Sequence, residues 1–307
     1  MWTSRNYESE QDLLAMLDLL MTGRAATDDW RYPHVGDLMW WFFMVACHQD
    51  PREAIRLWHD ESGRLVGYAI LGEDPSFDCQ VAPEHAWSGV EDEALDWTEA
   101  RLAVLRQREP GRWDGPLASG ARQDDARRIR FLEAHGFRYS GEFAEVNMLR
   151  GLDEPIPAPL APPGCQVRSV RNEPGDIAAR AAAQHVVWQP WTVGNVSSDD
   201  YAALMRLPGY RQELDVIAVT PDGVTAAYVN GWLDPLNRIG DFGPVGALPA
   251  YRRQGLTRAV LLECMHRMRA AGMDRVSVST GVNNAPARAL YESVGFRVVN
   301  RYLDYLR

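Results

Sequence analysis

Two short stretches in the C-terminal half carry residue types able to do chemistry together. The first runs Val245-Gly246-Ala247-Leu248-Pro249-Ala250-Tyr251-Arg252-Arg253-Gln254-Gly255-Leu256-Thr257 and reads as a strand, a tight basic turn and the start of a helix. A helix N-terminus presents unpaired N–H groups and partial positive charge, and a glycine there lets an anion approach the main chain. Arg252 and Arg253 add formal charge, and no acidic side chain follows until Glu263. A pyrophosphate suits this chemistry; a merely basic turn into a helix suits the same residues. The second stretch runs from Asn284 to Phe296, with Tyr291 inside it. Asn284 can cap a helix and do nothing more. Tyr291 falls on an apolar stripe where a core ring belongs, yet a phenol of pKa near 10 can protonate a departing thiolate held within hydrogen-bond reach.

The elements that position these residues can be read around them. Leu261, Cys264, Met265 and Met268 share one face of the helix that follows the basic turn, and Gly272 is placed to end it. Arg275 to Thr280 alternates Val276 and Val278 with Ser277 and Ser279, as a strand with one buried face does. A short helix then follows Asn284, with Pro286 in its first turn and Gly295 as its stop. Upstream, Val216–Val219 and Val224–Tyr228 flank Thr220-Pro221-Asp222-Gly223 as a hairpin. The first half repeats this order. Ala54–Trp58 and Leu65–Leu71 flank Asp60-Glu61-Ser62-Gly63, Leu95, Thr98, Leu102 and Leu105 mark a long helix, and Gly136-Phe137 closes the half as Gly295-Phe296 closes the other. An internal duplication is the economical explanation. Five prolines between Gly151 and Gly164 exclude helix and central strand there. The expected division is therefore 1–152, a proline-rich linker over 153–163, and 164–307. Each half reads as mixed α/β (α+β), a mainly antiparallel sheet flanked by helices.

Composition fits two cores. The 307 residues are 46% apolar and 24% charged, as in ordinary globular proteins. The longest apolar run, Leu38 to Cys47, is far short of the ~20 residues of a bilayer span. The start of the chain, with Glu8 and Glu10, lacks the pattern of a secretory signal, so a cytoplasmic protein without a membrane partner is expected. Cys47, Cys79, Cys165 and Cys264 are scattered with no paired spacing, so no metal site is expected. A net charge of −10 argues against nucleic acid and is compatible with a cationic small molecule.

Taken in order, the two chemical stretches resemble the acetyl-coenzyme A signature of the GCN5-related N-acetyltransferase (GNAT) superfamily. The pyrophosphate loop of that family, Q/R-x-x-G-x-G/A, is matched by Arg252 and Gly255, with Thr257 as a departure at the last position. Its later pattern, N-x-x-A-x-x-L-Y before Gly-Phe, is matched by Asn284, Ala287, Leu290, Tyr291, Gly295 and Phe296. The resemblance covers about residues 165 to 307. It implies that Arg252, Arg253, Gln254, Gly255, Leu256 and Thr257 hold the pyrophosphate of acetyl-CoA, with Asn284 and Tyr291 also at the cofactor. Val245, Gly246 and Ala247 would line the pantetheine arm, an N–H near Gly246 polarising the thioester carbonyl. It further implies direct attack by an amine in a ternary complex, with Tyr291 as the acid. A carboxylate on the preceding strand would be the base. Asp241 is the candidate, although relatives more often carry Glu at the place of Gly243; Glu213 and Asp215 are alternatives.

The first half resembles the family only as a scaffold. Its loop reads Glu84-His85-Ala86-Trp87-Ser88-Gly89-Val90-Glu91, in which Ser88 and Glu91 form a capping-box pattern. Asp92 and Glu93 add negative charge, Leu132 stands at the position of Tyr291, and Asp125 at that of Asn284. The arrangement is similar to that of tandem-domain bacterial acetyltransferases of the mycothiol synthase type. The acceptor is expected to be a small-molecule primary amine, met by Trp188, Trp191, Tyr201, Tyr210, Trp232, Asp199, Asp200 and Asp234. The alternative is a domain that binds acyl-CoA without turnover, as a sensor or interaction module.

Overall fold

Both expected hairpins form, and each is closed by its turn residues. Strand β2 (Ile55–Asp60) returns as β3 (Leu65–Leu71), and Asp60 Oδ1 accepts from the N–H of Ser62 and Arg64 within the turn. Strand β8 (Asp215–Val219) returns as β9 (Thr225–Asp234) through the hydroxyl of Thr220, which accepts from Val224 N at 3.0 Å. The computed structural model of the chain describes residues 2–27, 30–189 and 195–307.

The chain divides into two compact units, Met1–Val146 with Asn300–Arg307, and Asn147–Val299. In the first unit β1 (Trp2–Asn6), β2, β3 and β4 (Phe77–Val81) form an antiparallel sheet in that order. Helices α1 (Glu10–Ala26), α2 (Val35–His48), the short α3 (Pro51–Ala54) and α4 (Val90–Arg108) belong to this unit. The apolar run Leu38–Cys47 is the middle of α2, with Leu38, Phe42, Phe43 and Val45 buried. Among the described residues no helix is long and apolar enough to cross a membrane. Leu95, Thr98, Leu102 and Leu105 of α4 are all buried, Leu95, Leu102 and Leu105 in one cluster with Trp58, Val66 and Trp113. Then come β5 (Ala118–Arg122), α5 (Ala126–Ala134) and β6 (Arg138–Gly151).

The second unit holds β7 (Gln166–Ser169), α6 (Pro174–Trp188), α7 (Ser198–Leu204), β8, β9, β10 (Ile239–Ala247), α8 (Leu256–Ala270), β11 (Arg275–Gly281), α9 (Ala285–Ser293) and the start of β12 (Arg297–Leu306). Strands β7 to β10 run antiparallel in sequence order, and β11 joins β10 in parallel. Leu261, Cys264, Met265 and Met268 of α8 are fully buried, and Gly272 at φ +88° ends the helix.

The unit boundaries do not follow the halves of the sequence. Asn147–Gly151, the end of β6, belongs to the second unit, where Asn147 Oδ1 accepts from Ser279 Oγ at 2.5 Å. Tyr302–Leu306 of β12 pairs with Ala118–Arg122 of β5 in the first unit. The proline-rich stretch 153–163 consequently lies inside the second unit, whose His266 Nε2 meets Pro157 O at 3.1 Å.

Candidate active site

Strand β10 is the element on which the site is built. It pairs with β11 only from Ile239↔Arg275 to Phe242↔Val278, so Val245, Gly246 and Ala247 have no ladder partner on that side. On the other side its ladder with β9 skips from Phe242↔Gly231 to Val245↔Val229. Gly243 and Pro244 therefore both oppose Asn230, a bulge that re-aims the rest of the strand. Trp232, 1% exposed, holds this bulge through Nε1–H donated to Gly243 O at 2.6 Å. On the β11 side Val245, Gly246 and Ala247 are left without strand pairing, and Ala247 O accepts instead from Arg252 Nε.

The packing beneath Gly246 sets how the strand sits. A Cβ there would lie 2.5 Å from Tyr228 Oη and 2.8 Å from Val187 Cγ1. Tyr228 Oη accepts from Trp188 Nε1 at 3.0 Å, and the Arg180 guanidinium lies 3.6 Å from its ring centroid. Burial pushes the Tyr228 phenol up to about 12, against the pull of Arg180. Neither Arg180 nor Tyr228 stands out in the sequence as a site residue, since a buried arginine looks like any helix arginine until its neighbours are known.

Ahead of α8, Arg253 has φ +63° and Gly255 φ +81°, the left-handed conformation that glycine adopts without strain. Gly255 is the N-cap residue, no side chain caps the helix, and its first turn holds no acidic residue. A Cβ at Gly255 would meet nothing within 4 Å. Arg252, Arg253 and Gln254 are exposed; Arg252 Nε donates to Ala247 O at 3.2 Å and Gln254 Nε2 to Ala250 O at 3.1 Å. Leu256 is buried and anchors the turn, while Thr257 is half-buried. The open N–H groups, the room above Gly255 and the two guanidinium groups fit a pyrophosphate.

Asn284 is the N-cap of α9, its Oδ1 accepting from Ala287 N at 3.3 Å. Tyr291 is 5% exposed and its ring lies 5.9 Å from that of Phe296, which is in turn 6.1 Å from Phe242. No hydrogen bond engages its hydroxyl among the described residues. Burial first, and the negative charge of Asp241 second, push this phenol well above its ordinary value. Asp241, 6% exposed, accepts at Oδ1 from Ser277 Oγ at 2.6 Å, while a Cβ on Gly243 would lie 3.8 Å from its Oδ2. The carboxylate thus lies beside the start of a side chain at position 243. Ser277 was unrecognisable as its partner because parallel register is not written in either strand.

Several expectations are corrected. Asp215 is fully buried, accepting from Tyr201 Oη and, at 2.9 Å, from Tyr210 Oη, with Arg180 Nε 3.5 Å away, so it has no path to an acceptor. Glu213 is exposed and faces Arg211. Tyr201, Trp232 and Asp234 are core residues rather than a lining for the acceptor; Asp234 accepts from Asn237. Asp200 serves the capping box of α7 with Ser197. Trp188 is half-buried, and Trp191 lies outside the described residues. In the first unit Ser88 is not a cap. Gly89 at φ +114° is the N-cap residue of α4, which moves the helix start by one, and Glu91 Oε1 reaches back to Trp87 N at 2.6 Å.

Comparison with known proteins bears on this geometry. Residues 182–296, all in the second unit, match the model of the acetyltransferase (GNAT) family. A mycothiol acetyltransferase of Beutenbergia cavernae is 36% identical over 260 residues, 80% of this chain and 81% of that protein. The chain belongs to the GNAT acetyltransferase family. As a GNAT protein it is an acyltransferase. A second relative, the mycothiol acetyltransferase of Thermobispora bispora, is 31% identical over 169 residues, 53% of this chain and 57% of that protein. A solved tandem GNAT protein from the clavulanic acid biosynthesis pathway shares the fold, with a TM-score of 0.65 at 14% identity over 100% of this chain and 98% of that one. The GNAT fold, in tandem, agrees with the architecture expected from the duplication.

Proposed function

We propose that this GNAT protein moves an acetyl group from acetyl-CoA to a primary amine of a small molecule, by direct attack in a ternary complex. The observation that carries this is the uncapped basic turn at Arg252–Gly255 placed on the strand that diverges from β11, with the unengaged phenol of Tyr291 on the next helix. Arg252, Arg253, Gln254 and the first N–H groups of α8 would hold the pyrophosphate. Val245, Gly246 and Ala247 would pair with the pantetheine arm, and an N–H at Gly246 would draw charge onto the thioester oxygen. Asp241 would accept the ammonium proton, and Tyr291 would donate to the departing thiolate. Asn284 keeps α9, and so the phenol, in register. The first unit is read as a duplicate that has lost its site.

The acceptor is read as a small molecule because the name of the relatives places one, mycothiol, in their reaction. The test is coenzyme A release from acetyl-CoA with polyamines, aminoglycosides and amino sugars set beside peptide amines at equal concentration. Release with a small amine supports the reading. Release with peptides alone overturns the acceptor class, and binding of acetyl-CoA with no release for any amine replaces the enzyme with an acyl-CoA sensor.

A further inference from the structure

Each half of the sequence ends in an arginine that the fold delivers to the other unit. Arg150, near the end of β6, lies in the second unit, and Arg307, after β12, lies in the first. Arg150 is 5% exposed; its Nη1 donates to the carbonyl of Val294, the C-cap of α9, and its Nη2 to Pro155 O at 2.9 Å. A Cβ on Gly295, at φ +92°, would stand 3.2 Å from Arg150 Nε. Arg307 repeats the arrangement on α5. Its Nη1 donates to the carbonyl of His135, the C-cap of α5, at 2.7 Å, and a Cβ on Gly136 would stand 3.4 Å from its Cδ. The duty is the same but the helices differ, since α9 carries Tyr291 where α5 carries Leu132.

The last carbonyls of a helix have no partner within it, and a cation there also meets the negative end of the helix dipole. In α9 this matters one turn from the phenol: the N–H groups of Val294 and Phe296 both donate to Tyr291 O, at 3.1 and 3.0 Å. The carbonyl that Arg150 holds therefore belongs to a residue bonded directly to the main chain of Tyr291. We propose that Arg150 is a positioning residue for Tyr291, fixing the C-terminal turn of α9 and with it the seat of the phenol. This rests on Tyr291 being the acid, and it makes the catalytic unit depend on a residue from the sequence half that has no site of its own.

The molecule supplies its own control. Arg150→Ala and Arg307→Ala, each in the full chain, are compared by coenzyme A release with the panel amine turned over fastest, or with water if none is. Both should lower Tm by similar amounts and raise amide exchange in the last turn of their own helix. Only Arg150→Ala should lower kcat, by about tenfold or more with KM for acetyl-CoA changed less than about twofold, and guanidinium ion should restore part of that loss. Arg150→Lys, which keeps the charge but not the two-pronged donation, serves if the alanine variant does not fold, with a smaller loss expected. Equal loss of kcat in the Arg150 and Arg307 variants, or none in the Arg150 variants, overturns the proposal. A second comparison in the Tyr291→Phe background separates the two claims. There Arg150→Ala should cost nothing further in kcat, and a loss that persists overturns the positioning role. Full activity in Tyr291→Phe alone instead defeats the reading of Tyr291.

Discussion

The loops that open α4 and α8 have the same backbone and opposite chemistry. Trp87 and Gly89 have φ +65° and +114°, and two residues apart in the same way Arg253 and Gly255 have +63° and +81°. In the second unit the helix that follows has no acidic first turn; in the first it begins Glu91, Asp92, Glu93. Glu91 occupies the N–H of Trp87, and Glu93 is held by the indoles of Trp2 and Trp58 at 2.9 Å each. A ligand phosphate at that loop would meet carboxylates where the other offers guanidinium groups. What both units keep is structural. Arg5 grips Asp12 through both nitrogens at 2.5 and 2.9 Å, and Arg168 grips Asp176 at 2.5 and 2.9 Å, each joining a first strand to its following helix. The left-handed loop residues and the strand-to-helix ion pairs recur in both units, while the side chains around the two loops differ in charge.

Substitution at paired positions should separate these roles, most strongly at the loops. Gly255→Glu places a carboxylate where the pyrophosphate would sit and should weaken coenzyme A binding by more than about 100-fold, more than the ~1–2 kcal/mol of left-handed strain alone could explain. Gly89→Glu, with the same strain, should leave binding unchanged in equilibrium dialysis. Next come the helices after the loops. Tyr291→Phe should lower kcat by about 10²- to 10⁴-fold, the usual cost of losing a general acid, with acetyl-CoA affinity kept. Leu132→Ala at the matching place should cost about 2–5 kcal/mol of stability, as buried leucines do, and leave kcat alone; denaturant titration and steady-state kinetics read the two.

Two carboxylates of the second unit differ in the same sense. Asp241→Asn should lower kcat by about 10²- to 10⁴-fold, the usual cost of losing a general base, whereas Asp215→Asn, which breaks a buried ion pair, should destabilise by about 3–5 kcal/mol with kcat kept. The smallest effect is shared by both units. Arg5 and Arg168 hold the carboxyls of Asp12 and Asp176 below the ordinary range. A depressed carboxyl stabilises the fold above its unfolded value, about 3.9, and that contribution is lost as pH falls through the folded value. Their own contribution to Tm should therefore be constant from neutrality to about pH 5 and be lost below about pH 4, read as a shallower acid drop in Arg5→Met and Arg168→Met than in the unmodified chain.

The sequence showed what is local. Turn residues located both hairpins, the buried stripes of α4 and α8 followed from spacing, and Asn284, Gly255 and Gly272 stand at helix ends as their types require. It did not show what depends on distant pairing. Nothing local in Arg297–Leu306 says that Tyr302–Leu306 would find β5, so the proline-rich stretch looked like the boundary. The acceptor side misled for a related reason: aromatic and acidic residues serve a buried network around Arg180 as readily as a ligand, and only packing tells which.

The central claim is that one unit of two retains an acyl-CoA site, and calorimetric titration of acetyl-CoA into the unmodified chain tests it most directly. A single class with one site per chain is expected. Two sites per chain, or one site that survives Gly255→Glu and is lost in Gly89→Glu, would contradict it.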